Sequence, residues 1–395
     1  MTAIEIPLAR CADEFIGKLA SVSGAKALFD LDGATLLGER AMLARMTIPG
    51  RTSAGGGCKL YAAIDDAIAL NLSRPTDREL LPALFATDAL DPDDDQAIAA
   101  QIARCNASAL VPRGRELGLA IAAEHEDVSA LSAPCTELAN GAHAVVAQRR
   151  APRVIDLSAL WAGPLASHLL WLAGADVIKV ESRTRPDAMR AGDTTFYALI
   201  NQGKASVVLD FADRNDRQAL RSLIATSDIV IEAARPRALA QLGFDAADIV
   251  RQTPGLVWIT ITGHGAEGAN ADWVGFGDDC GVAGGLSAAL RTAGGRAGFV
   301  GDAIADPLTG IFAALQGWQA WMSRRGGRFG IAMTQVVASC LAQARECDPE
   351  ALQSHLLRWS AGIGQPFPEV TRRSSSALPS FGEQTHSLLA QFSTC

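Results

Sequence analysis

The sequence predicts an α/β protein, with a Rossmann-like parallel sheet in a large domain and a smaller α+β domain beside it. Three observations carry this. Between residues 154 and 262, short apolar runs alternate with helix-like segments, the pattern of βαβ units. Near residue 150 the texture changes from Ala- and Asp-rich sequence to that alternation. The chain has 395 residues, 49% apolar and 20% charged, which is a globular balance in a chain too long for one ordinary core.

Residues 1–148 are expected to form the small domain, 149–345 the large one, and 346–395 a tail that packs back on it. In the first part, 77–85 and 94–105 read as helices. The runs 59–63 and 67–72 read as a hairpin turning at Asp65-Asp66, and the cluster Gly55-Gly56-Gly57 precedes it. The acidic stretch 88–95 reads as a solvated loop and helix start. A linker is expected at 149–153. Strands follow at 154–160, 176–181, 206–211, 228–233 and 256–262, with helices at 165–173, 216–226, 237–241 and 246–252. Right-handed crossovers make this a doubly wound layer, whose ligand belongs beyond the carboxyl ends of the strands. Residues 305–322 read as a strongly apolar helix. The stretch after Asp348 reads as loops and one short helix at 383–391.

Composition narrows the function. The net charge is −8 and no long basic run occurs, which argues against nucleic acid. A phosphate-bearing substrate still fits, because a few local cations and backbone N–H groups suffice. The eight cysteines are scattered without a C-x-x-C pair, which argues against a zinc site or disulfide framework and for reduced thiols. The N-terminus lacks the signal-peptide pattern, and no run of about eighteen apolar residues occurs, so a cytoplasmic protein without a membrane span is expected.

Local motifs exclude more than they assign. Residues 263–268 fit G-x-G-x-x-G after a strand, but the continuation reads as loop where a dinucleotide fingerprint needs a helix. Close approach of a ligand to backbone is the better reading. No G-x-S-x-G elbow and no H-x-x-x-H pair occur, so serine-hydrolase and zinc-hydrolase chemistry find no support, and no metal or cofactor is expected. His264 stands out by its place at a strand end. Arg183, Arg185, Lys204, Arg235 and Arg237 recur near successive strand ends, where an α/β sheet meets phosphates. Asp302 and Asp306 precede the apolar helix. Either could cap it, and a carboxylate held as an anion there would equally suit a nucleophile.

At this point the sequence resembles the class III CoA-transferases, a family that includes formyl-CoA and carnitine CoA-transferases and the α-methylacyl-CoA racemases. The likeness lies in VIDLSALWAGPLASHLLWLAGADVIKVE (154–181), NQGKASVVLDF (201–211), SDIVIEAARPRALAQLGF (227–244), PGLVWITITGHG (254–265), IADPLTGIFAAL (304–315) and FGEQTHSLLAQ (381–391). It implies that Asp306, in the A-D-x-x-x-G segment, is the nucleophile. An aromatic residue or histidine stands thirty positions earlier in the family, and 306 − 276 = 30 places Phe276 there. The racemases carry a histidine at that position, so Phe276 favours CoA transfer over racemisation.

The resemblance implies a covalent route through an aspartyl anhydride and an aspartyl-CoA thioester, with an acyl-CoA and a carboxylic acid as partners. It places CoA against Leu160, Trp161, Ala162, Arg183, Lys204, Leu209, Ala233, Ala234 and Arg235. The acyl pocket falls at Phe276, Gly277, Gly55, Gly56, Gly57 and His264. Residues 51–75 resemble the segment that normally follows the large domain, so the order looks permuted. The family's homodimer is the implied assembly. Ala233-Ala234 replaces the usual Asn-Phe, and Ser182, Ala212 and Gln241 stand where basic residues occur. Two alternatives stay open: an acyl-CoA racemase or isomerase, and a non-catalytic CoA-binding homologue.

Overall fold

The computed structural model describes residues 4–127, 133–144, 151–234 and 236–392. The chain begins with helices α1 (Ala9–Ser23), α2 (Lys26–Phe29) and α3 (Gly33–Leu43). Strands β1 (Cys58–Ala62) and β2 (Ala67–Asn71) follow, then helices α4 (Leu81–Phe85), α5 (Asp95–Ile102) and α6 (Ala107–Glu116), then strands β3 (Ala120–Ala123) and β4 (Cys135–His143). The alternating part runs β5 (Arg153–Asp156), α7 (Ala162–Leu172), β6 (Asp176–Ser182), α8 (Thr194–Asn201), β7 (Ala205–Leu209), α9 (Arg214–Ala225), β8 (Ile229–Glu232), α10 (Pro236–Gln241), α11 (Ala246–Gln252) and β9 (Val257–Thr262). Helices α12 (Gly277–Ala283), α13 (Leu286–Thr292) and α14 (Ala305–Met322) come next. The chain then passes through β10 (Arg325–Ala332), α15 (Met333–Cys347), α16 (Pro349–Ala361) and α17 (Thr385–Phe392).

Two sheets result. The large one has the order β4-β10-β9-β8-β5-β6-β7 and is parallel except where β4 pairs antiparallel with β10. The strand order reverses between β5 and β8, the switch point at which doubly wound sheets bind ligands. The small sheet, β1-β2-β3, is antiparallel. Residues expected in the small domain divide between the two. β4 is an edge strand of the large sheet, while α1 and α3 pack into the core beneath it.

The first hairpin forms with Lys59 opposite Leu70 and Ala62 opposite Ala67. Strand β5 is shorter than its apolar run because Asp156 turns the chain: its carboxylate accepts the Ser158 N–H at 2.9 Å. Helix α14 is apolar almost all round, as a central helix must be, and packs on α1, α7, α15 and the sheet. Gly310 makes its crossing with α7 possible, since a β-carbon there would lie 2.7 Å from the Ala162 carbonyl oxygen. The stretch after Asp348 holds more helix than expected. Asp348 caps α16 by accepting the Ala351 N–H at 2.9 Å, and Pro349 sits at the first helical position.

The expectation of thiols throughout is corrected at one place. Cys11 of α1 and Cys340 of α15 form a disulfide across 329 residues, a pairing that no sequence spacing reveals. Linear sequence also conceals how the tail is fixed. Arg373 chelates Glu39 on α3 with two bonds of 2.7 Å, and one of its nitrogens meets His168 on α7 at 2.9 Å. Glu39 is 1% exposed, and burial pushes its carboxyl up while Arg373 pulls it back. Arg373→Met strands that buried carboxylate and is expected to cost about 3–5 kcal/mol in denaturant unfolding.

Candidate functional site

Three chain segments meet at the carboxyl end of the large sheet, each starting a helix. Helix α7 begins after β5, α12 begins after the loop that follows β9, and α14 begins after a turn with Gly301 at φ 77° and Ala303 at φ 41°. Asp306 lies in the first turn of α14 and is partly exposed. The backbone N–H groups of Ala162 and Gly277, the first residues of α7 and α12, face its carboxylate and act to lower its pKa. A β-carbon on Gly277 would lie 2.3 Å from Asp306 Oδ2, so this position requires glycine for close approach.

Asp278 acts directly on Asp306, and two further buried carboxylates, Asp302 and Asp279, act on Asp278. Asp302, fully buried, is chelated by Arg40 of α3, with Nε at 2.8 Å from Oδ2. The same guanidinium lies 4.9 Å from the centre of the Trp161 ring. Asp278 accepts the Ala303 N–H at 3.1 Å, and the nearby Ser53 hydroxyl acts to lower its carboxyl. Asp279, fully buried, accepts the Phe276 N–H at 3.0 Å and the Asn71 amide at 3.3 Å.

Burial and like-charge repulsion push Asp306, Asp278 and Asp279 in one direction. Burial pushes the Asp306 carboxyl up to about 7; Arg40 and the two N–H groups resist this, and Asp278 adds to it. Asp278 is pushed up to about 6 by burial and by Asp302. Asp279 is pushed up to about 8 by burial, with Asp278 adding to it. The arrangement holds a carboxylate that changes charge near neutrality, with Arg40 and the N–H groups of Ala162 and Gly277 favouring its anion.

The sequence-derived candidates fall into groups. Asp306, Gly277 and Ala162 touch one another, and Trp161 stacks beneath Arg40. Gly55 lies on the far side of that guanidinium, a β-carbon there coming 3.4 Å from it. Gly56 has φ 80° and Gly57 packs on Ser73, so the glycine turn borders the site. Phe276 caps α12, with Arg74 over its ring at 5.9 Å. His264 is buried behind α12. Its Nδ1 lies 3.2 Å from the Thr334 hydroxyl, and it packs edge-on to Trp273. His264, Asp279 and Cys280 place ligand-type atoms within 4.8 Å of one another, all buried.

The remaining candidates do not converge on Asp306. Leu160 is exposed in a left-handed turn before α7, and Arg183 and Ala233 are exposed at strand ends. Ala234 is partly exposed and its N–H bonds to Glu232. Leu209 is fully buried in the core. Arg235 lies outside the described residues. Lys204 requires a correction: it is 3% exposed, and its ammonium donates to Asp156, the Pro164 carbonyl and Asn201 at 3.0, 2.8 and 2.9 Å. All three donors are spent inside the protein, so it has none left for a phosphate.

Sequence reasoning passed over Arg40, Ser53, Asn71, Asp278 and Asp279. The doublet Asp278-Asp279 at a helix start was a visible signal. Arg40 had none, because its partner is 262 residues away.

The sequence model of CoA-transferase family III matches residues 151–356, just over half of the chain. The succinate–glutarate CoA-transferase of Agrobacterium fabrum is 33% identical over 210 residues, covering 48% of this chain and 52% of that one. The formyl-CoA:oxalate CoA-transferase of Afipia carboxidovorans is 28% identical over 244 residues, covering 57% and 55%. A crystal structure of Rv3272 from M. tuberculosis aligns with a TM-score of 0.45 at 26% identity, over 53% of this chain and 57% of that one. The chain thus spans about half the length of the curated relatives it matches. On the match over residues 151–356, the chain belongs to CoA-transferase family III.

Proposed function

We propose that the protein moves CoA from an acyl-CoA thioester to a carboxylic acid, with Asp306 as the catalytic nucleophile. The observation that carries this reading is the seat of Asp306: a partly exposed carboxylate in the first turn of α14, so close to the start of α12 that a β-carbon on Gly277 would lie 2.3 Å from Oδ2. The Asp306 oxygen attacks the thioester carbonyl, the C–S bond breaks, and CoA thiolate leaves an acyl–aspartyl anhydride. The thiolate then attacks the aspartyl carbonyl, releasing the donor acid and forming an aspartyl-CoA thioester. The acceptor carboxylate displaces the thiolate to form a second anhydride, which the thiolate opens to give the new acyl-CoA and free Asp306. Each step exchanges one acyl bond for another of similar reactivity, and the two N–H donors hold the carbonyl oxygen as charge develops on it.

One observation favours a second reading. Asp278 shares its field with Asp306 and is pushed up to about 6, which suits a proton-transferring pair in an isomerase. The two readings separate experimentally. Transfer gives a hydroxylamine-sensitive acyl label on Asp306 that is absent from Asp306→Ala. Isomerisation exchanges the α-proton in deuterated water with no acceptor present.

Two further outcomes are expected. Attack requires the anion, so the rate of label formation rises with pH through about 7 and levels off above it. Arg40→Met removes the cation that favours the anion, so the midpoint moves up by about one unit and the rate at neutral pH falls about fivefold. A midpoint unchanged in that variant would show that Arg40 does not act on Asp306. Gly277→Ala drives a β-carbon to 2.3 Å from both Asp306 Oδ2 and the Ala303 carbonyl oxygen, so it should lower the rate by about a hundredfold or more and lower the unfolding midpoint as well.

A further inference from the structure

The charge around Asp306 bears on the acyl group itself. We infer that the site selects monocarboxylic acyl groups and discriminates against dicarboxylic donors and acceptors, because the carboxylates gathered at Asp306 outnumber the cations and the cation among them is already chelated. This inference rests on the transfer reading and deepens it.

Three carboxylates, those of Asp278, Asp302 and Asp306, share the field of the single cation Arg40, while Asp279, pushed up to about 8, adds no charge at neutral pH. That guanidinium is committed to Asp302 through two bonds and lies over Trp161. The neighbouring cations are committed as well. Arg74, above Phe276, binds Asp77 through Nε at 2.7 Å and the Gly118 carbonyl at 2.7 Å. Arg115, on the Trp273 ring, pairs with Glu126 and donates to the Ile121 carbonyl at 3.2 Å. All three of these guanidiniums are thus engaged with protein groups.

Geometry makes the conflict hard to escape. In a four-carbon diacid, the far carboxylate stays within about 5 Å of the carbon that Asp306 attacks. That is shorter than the screening length at physiological ionic strength, about 8 Å. Like charges about 6 Å apart near a protein surface repel strongly enough to cost about a hundredfold in affinity, and partial solvation brings the expectation down to tenfold or more.

The test uses the full chain with matched pairs of substrates. Butyryl-CoA is compared with succinyl-CoA as donor, and butyrate with succinate as acceptor, by kcat/KM and by the label on Asp306. The expected result is a preference of about tenfold or more for the monocarboxylic member of each pair. That preference should narrow as ionic strength rises from about 0.02 to about 0.5 M. Asp278→Asn keeps the shape and removes one charge, so it should cut the preference about tenfold; a ratio of two substrates does not depend on how much of the variant folds. Wild-type protein that uses succinyl-CoA as well as butyryl-CoA overturns this inference and leaves the transfer reading standing. Failure of butyryl-, octanoyl-, succinyl- and glutaryl-CoA alike to label Asp306 overturns the transfer reading and this one with it.

Discussion

The ion pair between Arg40 and Asp302 is the constraint on which the site depends. Asp302 is fully buried, and a buried carboxylate without a partner is costly enough to reorganise a loop. Arg40 supplies the partner and in doing so joins α3 to the turn that launches α14. The register of that turn then decides where Asp306 emerges. Ala303 is held at φ 41°, a conformation that a residue with a β-carbon takes only under local compulsion. The compulsion comes from both sides: Asp302 is drawn to Arg40, and the Ala303 N–H is drawn to Asp278. Asp306 is therefore placed by charge pairing as much as by helix packing.

A second ionic layer lies under the sheet's carboxyl end and serves a different purpose. Lys204 and Lys179 flank Asp156, at 3.0 and 4.0 Å, and Lys179 also reaches Asp187 at 3.2 Å. The two lysines hold the Asp156 carboxyl far below the usual carboxylate range against the opposing effect of burial. Asp156 also accepts from Ser167 of α7 at 2.6 Å, and so fixes the start of the helix whose first N–H serves Asp306. Basic residues at strand ends can thus be scaffold rather than binding groups. Burial separates the two roles, and burial is not visible in a list of spacings.

The fold was legible wherever periodicity and local turns decide structure. The alternation through 154–262, the hairpin at Asp65-Asp66 and the apolar helix 305–322 all follow from short-range pattern. Strands β4 and β10 were missed because Gly326, Gly327 and Gly330 dilute the strand pattern. Those glycines serve close approach: a β-carbon on Gly326 would meet the Ala142 carbonyl oxygen at 2.6 Å. Within the site, Asp306 and Gly277 could be picked out because a motif and a thirty-residue register pointed to them. Arg40, Ser53 and Asn71 could not. Each acts on a carboxylate more than 200 residues away, and nothing in its own neighbourhood marks it.

The distribution of these residues limits what relatives can say about substrate. The family match spans 151–356 and contains Asp306, Gly277, Ala162 and the carboxylates at 278, 279 and 302. Arg40, Ser53 and Asn71 lie before it. The carboxylate proposed as nucleophile therefore belongs to the part shared with relatives, while the cation that acts on it, Arg40, comes from the part outside the match. A nucleophile depends mainly on backbone N–H groups at fixed helix starts, and such groups persist when side chains change. Selectivity between one carboxylate and two depends on the balance of side-chain charge within a few ångströms, where a single arginine, free or chelated, changes the sign of the local field. The names succinate, glutarate and oxalate belong to proteins of which this chain matches about half, and Arg40, the cation of this cluster, lies outside the matched part.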